Sequence, residues 1–272
     1  MEYKDLTENQ KIPVLGLGTW GIGSGTGADY SQDEKHVDAI IYAFHKGITH
    51  IDTAEIYSAG RSEELVGEAI KKFDREKLLI TTKVSPQHLE HDQILSSAEN
   101  SLKRLKTDYI DLYLIHWPNL AADMKKVMAA FDKLIKEKLI RFVGVSNFSV
   151  DQFRQAQQHT SNKIVTNQVH YNLLHREPEQ ELLDFCQEEK VILTAYSPLA
   201  EGKLVGGKFP VLDKIATKYG KTPVQVALRW LIEKPQVIAI PKSSSRDHID
   251  EIFGTLDRNL EKEDEELLDK SF

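Results

Sequence analysis

The strongest constraint on the fold is a repeated alternation. Short, almost unbroken apolar runs take turns with amphipathic segments that carry helix-start signals. The runs lie at 48–51, 78–84, 109–115, 142–145, 164–169, 191–195 and 237–240, and a shorter one at 15–18 brings the expected strands to eight. Apolar residues at consecutive positions, rather than every second one, mark strands covered on both faces, as in parallel sheets. Helices are expected between them. Ser31 to Glu34 reads as a capping box ahead of Val37, Ile40, Ile41 and Phe44. Asp92 is placed to cap a stripe of Ile94, Leu95, Ala98, Leu102 and Leu105. Further capping boxes stand at Ser149 to Gln152 and at Thr222 to Gln225, the latter with Pro223 at a first helical position. Two short segments at 3–6 and 11–14 predict a hairpin, and 261–269 predicts a closing helix.

Eight strands separated by helices in 272 residues, without a linker or composition break, predict a single domain over 1–272. Its class is α/β: a (β/α)8 TIM barrel with a short N-terminal β-hairpin and a C-terminal extra helix. An open, doubly wound sheet is the rival, and Gly16-Leu17-Gly18-Thr19-Trp20-Gly21 does match the G-x-G-x-x-G dinucleotide pattern. That pattern has meaning only where a helix follows at once, because the helix N-terminus must receive the pyrophosphate. Here the next helix signal waits until Ser31, beyond Gly23, Gly25 and Gly27. The glycines are better read as a first loop and a close approach of backbone.

Bulk properties exclude several function classes. A net charge of −7 and a pI near 5.8 provide no basic field for nucleic acid. The only cysteine, Cys186, permits neither an internal disulfide nor a multi-cysteine metal site, and it reads as inert core. The polar start from Met1 to Lys11 and the lack of a long apolar run predict a protein with no membrane partner, in the cytoplasm. His50, His116 and His170 are scattered, so no metal site is expected. The Asn147-Phe148-Ser149 sequon is incidental in such a compartment.

In a barrel, catalytic groups project from the C-terminal ends of the strands. Those ends are polar here: Asp52, Lys83, His116, Ser146-Asn147, Gln168, Tyr196-Ser197 and Lys242-Ser243. From first strand to last, Gly18-Thr19-Trp20, HIDTAEIY (50–57), ITTKV (80–84), DYIDLYLIHWP (108–118), VGVSNF (143–148), NQVHYN (167–172), AYSPL (195–199) and IPKSS (240–244) resemble the aldo-keto reductase superfamily. The resemblance implies a catalytic tetrad of Asp52, Tyr57, Lys83 and His116. Tyr57 would be the general acid in reduction of a carbonyl, its pKa lowered by Lys83, which Asp52 would keep charged. His116 would orient the carbonyl and share hydrogen bonding with Tyr57.

The same resemblance implies NADPH lying across the barrel mouth, with NADH as the alternative. Gly18, Thr19, Trp20 and Asp52 would lie near the nicotinamide. Ser146, Asn147 and Gln168 would bind its carboxamide, and Tyr196 would stack on the ring. Ser197 and Leu199 would support the pyrophosphate. Lys242, Ser243, Ser244, Arg246 and His248 would surround the adenosine 2′-phosphate. This chain departs from many relatives there, with His248 in place of an arginine and Ile252 in place of an asparagine. Trp20 and Trp117, with Tyr57 and His116 below, would wall a substrate site for small aldehydes, sugars and diketones. Trp230 reads as core. A short segment after His116 and a chain that stops at Phe272 predict an open mouth, and a monomer is the expected state. Two other functions are weighed against this one: a regulatory protein that holds NADPH without turnover, and a Schiff-base aldolase using Lys83.

Overall fold

The computed structural model describes residues 1–23 and 30–272, so Gly25 and Gly27 lie outside the described residues. The chain begins with an antiparallel hairpin of β1 (Tyr3–Thr7) and β2 (Gln10–Pro13). The alternating part follows: β3 (Gly16–Gly18), α1 (Asp33–Lys46), β4 (His50–Asp52), α2 (Arg61–Ile70), β5 (Leu79–Val84) and α3 (His91–Leu105). It continues through β6 (Ile110–Ile115), α4 (Met124–Lys136), β7 (Ile140–Ser146), α5 (Val150–Gln157), β8 (Ile164–His170) and α6 (Leu182–Glu188). After β9 (Ile192–Tyr196) come α7 (Lys203–Gly206), α8 (Pro210–Tyr219) and α9 (Pro223–Glu233), then β10 (Val237–Ala239), α10 (Arg246–Phe253) and α11 (Lys262–Ser271).

Strands β3 to β10 form one eight-stranded parallel sheet in sequence order. The sheet curls until its first and last strands meet. Ala239 N–H donates to Val14 O and Gly18 N–H donates to Pro241 O, both at 2.9 Å. This is the expected (β/α)8 barrel. A Cβ on Gly16 would stand 2.6 Å from His50 Nδ1, and one on Gly18 would stand 2.8 Å from Ile240 O. Gly18 serves the closing seam, Gly16 a close approach of the His50 ring on β4, and Gly21 a positive φ of 81°, and among the described residues no helix follows them at once to receive a phosphate.

Every residue of β5 and β6 is buried, including the polar Thr81, Thr82, Lys83 and Asp111 among their apolar residues. One core lies between strands and helices. A second fills the barrel with Leu79, Leu112, Leu114, Val165, Ile192 and Ile238, and the hairpin's Leu6 and Ile12 plug its floor. The opposite, C-terminal end is therefore the one left open.

Four local expectations change. The α1 helix starts at Asp33 after a 3-10 turn over Tyr30–Gln32, so Ser31 lies inside that turn and Gln32 takes the N-cap position. Glu90, not Asp92, holds the N-cap of α3: its N–H donates to Gln93 Oε1 at 3.3 Å, and Asp92 stands in the first turn. Strand β7 begins at Ile140, because exposed Arg141 reaches the buried Asp111 carboxylate at 2.8 Å and tolerates a strand position. The β9–β10 connection holds three helices where one was expected. The capping boxes at Ser149 and Thr222 form as read. Trp230 is core, with its indole N–H donating to Asp269 Oδ1 at 2.8 Å.

Candidate active site

The ends of β4, β5 and β6 bring Asp52, Lys83 and His116 to one rim, and the turn after β4 adds Tyr57. Lys83 is fully buried, and an ammonium has three N–H groups to satisfy. They donate to Asp52 Oδ1 at 2.6 Å, Thr53 O at 2.7 Å and the Tyr57 hydroxyl oxygen at 3.3 Å. The second Asp52 oxygen accepts from Gln168 Nε2 at 2.7 Å. Burial alone would drain charge from Lys83, but Asp52 and Tyr57 together hold its pKa above the ordinary lysine value.

Tyr57 behaves differently from the expectation. Burial raises its pKa, and although Lys83 pulls it down the balance stays above the ordinary phenol value. The group is a phenol at neutral pH. Because its oxygen already accepts from Lys83, its own proton is free to point into the cavity. His116 meets Tyr57 edge to face, with centroids 5.6 Å apart, instead of sharing a hydrogen bond with it. Burial, helped by the Lys83 charge, lowers the His116 pKa to about 3, so its imidazole is neutral. Its Nδ1 is buried and has no partner among the described residues. An unmatched lone pair costs less than an unmatched N–H, which places the single proton on Nε2.

These groups stand at one end of a cavity of about 960 Å³ across the barrel mouth. Gly18, Thr19, Trp20, Asp52, Tyr57, His116 and Trp117 line this end, and Lys83 lies behind it. The middle is lined by Ser146, Asn147, Gln168, Tyr196, Ser197 and Leu199. Ser146 Oγ donates to Gln168 O, and Asn147 Nδ2 donates to Ser146 Oγ and His116 O. The Tyr196 hydroxyl donates to Asn147 Oδ1 at 3.1 Å. Ser146 and Asn147 have spent their donors and have only acceptor capacity to offer a ligand, whereas Gln168 keeps a second Nε2–H beside its carbonyl oxygen. Asn147 and Ser197 hold the left-handed backbone conformation, with φ of 62° and 47°. Such strain in non-glycine residues collects at functional loops.

The far end brings in only part of the expected set. Lys242 and His248 line the cavity, whereas Ser243, Ser244 and Arg246 stand outside its lining. Ser243 Oγ is spent on the turn that opens α10, accepting from Ser245 N–H, and Ser244 Oγ accepts from Lys242 Nζ at 3.3 Å. The Arg246 guanidinium lies 5.2 Å from the Tyr42 ring centre, and the Tyr42 hydroxyl donates to Asp250. Helix geometry explains the split, since residues two apart point about 200° away from each other. His248, Glu251 and Ile252 make one face and look into the cavity, while Arg246 and Asp250 make another. The 3.6-residue period could have found this.

Sequence reasoning also missed Thr53, which holds Lys83 through its carbonyl, and the apolar rim residues Ile56 and Val205. The adjacency of Thr53 to Asp52 and of Ile56 to Tyr57 was the available signal. Trp20 and Trp117 flank the cavity with 66% and 47% of their surface exposed, so the mouth is open. Cys186 is buried, which pushes its thiol up to about 12. Among the described residues no cluster of histidine, cysteine and carboxylate side chains could hold a metal, and no helix is long and apolar enough to cross a membrane.

The sequence pattern described as "Aldo/keto reductase family" matches residues 14–271. The chain is similar to a methylglyoxal reductase of Escherichia coli, 38% identical over 265 residues that cover 96% of this chain and 91% of the relative. It is also similar in structure to a thermostable aldo-keto reductase crystallised with the inhibitor epalrestat. The TM-score there is 0.97 at 46% identity, over the whole of both chains. An aldo/keto reductase from Klebsiella pneumoniae, in complex with NADP and acetate, gives a TM-score of 0.89 at 38% identity over 97% of this chain and 92% of that one. The chain belongs to the aldo/keto reductase family and is an oxidoreductase acting on carbonyl groups.

Proposed function

We propose that the protein is an NADPH-dependent reductase of small aldehydes, sugars and diketones, with Tyr57 as the proton donor. One observation carries this reading: the Tyr57 oxygen accepts from a charged, fully paired Lys83, so its hydroxyl is left to donate into the cavity. A bound nicotinamide supplies the hydride for the carbonyl carbon. Neutral His116 orients the carbonyl through Nε2–H, and Tyr57 delivers the proton to the oxygen that becomes the alcohol. Its phenolate is then stabilised by the adjacent ammonium. Trp20, Trp117 and Ile56 shape the space above and keep it apolar.

The cavity fits a dinucleotide in chemistry as well as in extent. The acceptors of Ser146, Asn147 and Gln168 suit the amide N–H groups of a carboxamide. Tyr196 gives the ring a flat surface, Ser197 and Leu199 follow along the pyrophosphate, and Lys242 meets the 2′-phosphate with His248 beside it. The NADP-bound relative supports this assignment. With Arg246 turned outward and Glu251 facing inward, preference over NADH rests mainly on Lys242. The methylglyoxal reductase supports a small dicarbonyl as substrate. A Schiff-base role for Lys83 would need a neutral amine, which the Asp52 and Tyr57 contacts oppose. The test follows NADPH and NADH oxidation separately against small aldehydes, sugars and diketones. Absence of turnover with all of them, alongside tight NADPH binding, would favour a regulatory role instead.

A further inference from the structure

The ring proposed to carry the nicotinamide is itself one layer of a stack. Tyr196 and His170 are the last residues of β9 and β8 and face each other in the parallel register. Their rings lie 5.4 Å apart and within 8° of parallel. His175 covers the other side of His170 at 4.1 Å and 13°. Fully buried Asn172 ties the stack together. Its Nδ2 group donates to His170 Nε2 at 3.1 Å and to Ser197 O at 2.9 Å, and its backbone pairs with that of His175. Accepting at Nε2 leaves His170 neutral, with its proton on Nδ1.

The arrangement answers a mechanical problem. The hydroxyl of Tyr196 is pinned to Asn147 Oδ1, but the oxygen it holds lies on the axis running through the ring. Holding an atom on the axis fixes the ring's tip and restrains the plane only weakly, through the C–O torsion. Only a flat neighbour stops the turning. We propose that His170 is a positioning residue that fixes the plane of the Tyr196 platform, backed by His175 and held by Asn172. The inference rests on the reading in which Tyr196 carries the nicotinamide.

The test measures binding of two ligands by fluorescence titration: NADPH, and adenosine 2′,5′-bisphosphate, which lacks the nicotinamide. His170→Ala should weaken NADPH about threefold to tenfold, the scale of one aromatic pair, and leave the bisphosphate unchanged. His170→Phe, which restores a flat ring without the nitrogens, should recover NADPH binding. Unchanged NADPH affinity in His170→Ala overturns the proposal, as does an equal loss for both ligands or a failure of His170→Phe to rescue. Tyr196→Ala separates the two layers of argument: if it leaves NADPH affinity intact, the platform reading itself falls.

Discussion

Lys83 donates to the Tyr57 oxygen at 3.3 Å while burial keeps the Tyr57 pKa above the ordinary phenol value, so one ammonium both orients the acid and leaves it protonated. Tyr57→Phe removes that proton and keeps the ring. Turnover should fall about 10²- to 10⁴-fold, the usual worth of a general acid, while NADPH binding is retained. Full activity in this variant would refute the assignment.

The pH dependence follows from the same contacts. Reduction needs the protonated phenol, and the folded pKa lies above the ordinary value of about 10. His116, lowered to about 3, stays neutral throughout the working range. The kcat for reduction should therefore be level from weakly acid to alkaline pH and decline only above about 10. A decline centred near neutrality would mean that another group supplies the proton.

Removing one partner of a buried ion pair leaves the other unmatched. Lys83→Met strands the Asp52 carboxylate, 2% exposed, and should cost about 3–5 kcal/mol in urea denaturation. Adding Asp52→Asn removes the stranded charge and should recover much of that stability. Activity should stay lost in both variants. Losses in the double variant that simply add those of Lys83→Met and Asp52→Asn would show that the pair is not coupled.

Much of the architecture was legible because a strand buried on both faces leaves little choice of residue: β6 reads as a largely apolar run, and in β5 and β8 apolar starts give way to polar residues only toward the barrel mouth. Asp52, Lys83 and His116 were legible as polar residues at the ends of consecutive strands, whereas Tyr57, in the turn after β4, entered only through the family resemblance. Helix starts were less so: Ser31 and Asp92 had the right chemistry, but packing shifted the first turns to Asp33 and His91. The direction of the Tyr57 pKa was not legible at all, since it depends on how much water the fold excludes.

The glycines show the same limit, because a close approach is visible only once the partner strand is known. Gly18→Ala would place a methyl 2.8 Å from the Ile240 carbonyl oxygen, a backbone atom at the seam that cannot swing aside. The variant should lose about 1–3 kcal/mol, as overpacked sites do, read from its thermal or urea midpoint. Retention of wild-type stability would show that the seam opens easily.

Cofactor choice provides the last contrast, between two cations four residues apart in sequence. Lys242 lines the cavity from an exposed position, and partial burial of its amine lowers the pKa, with the Lys35 charge adding to the effect. An approaching phosphate dianion would meet this amine first. The Arg246 guanidinium lies over the Tyr42 ring, beside Asp250 and outside the cavity lining. Lys242→Ala should therefore weaken NADPH about 10- to 100-fold, the worth of a charge-assisted bond, and leave NADH nearly unaffected. Arg246→Ala should alter neither cofactor by a comparable factor. The check is the ratio of kcat/KM for NADPH to that for NADH in each variant. If Arg246→Ala collapses that ratio and Lys242→Ala does not, the 2′-phosphate sits on the outer face of α10 and the far end of the cavity has been assigned to the wrong cation.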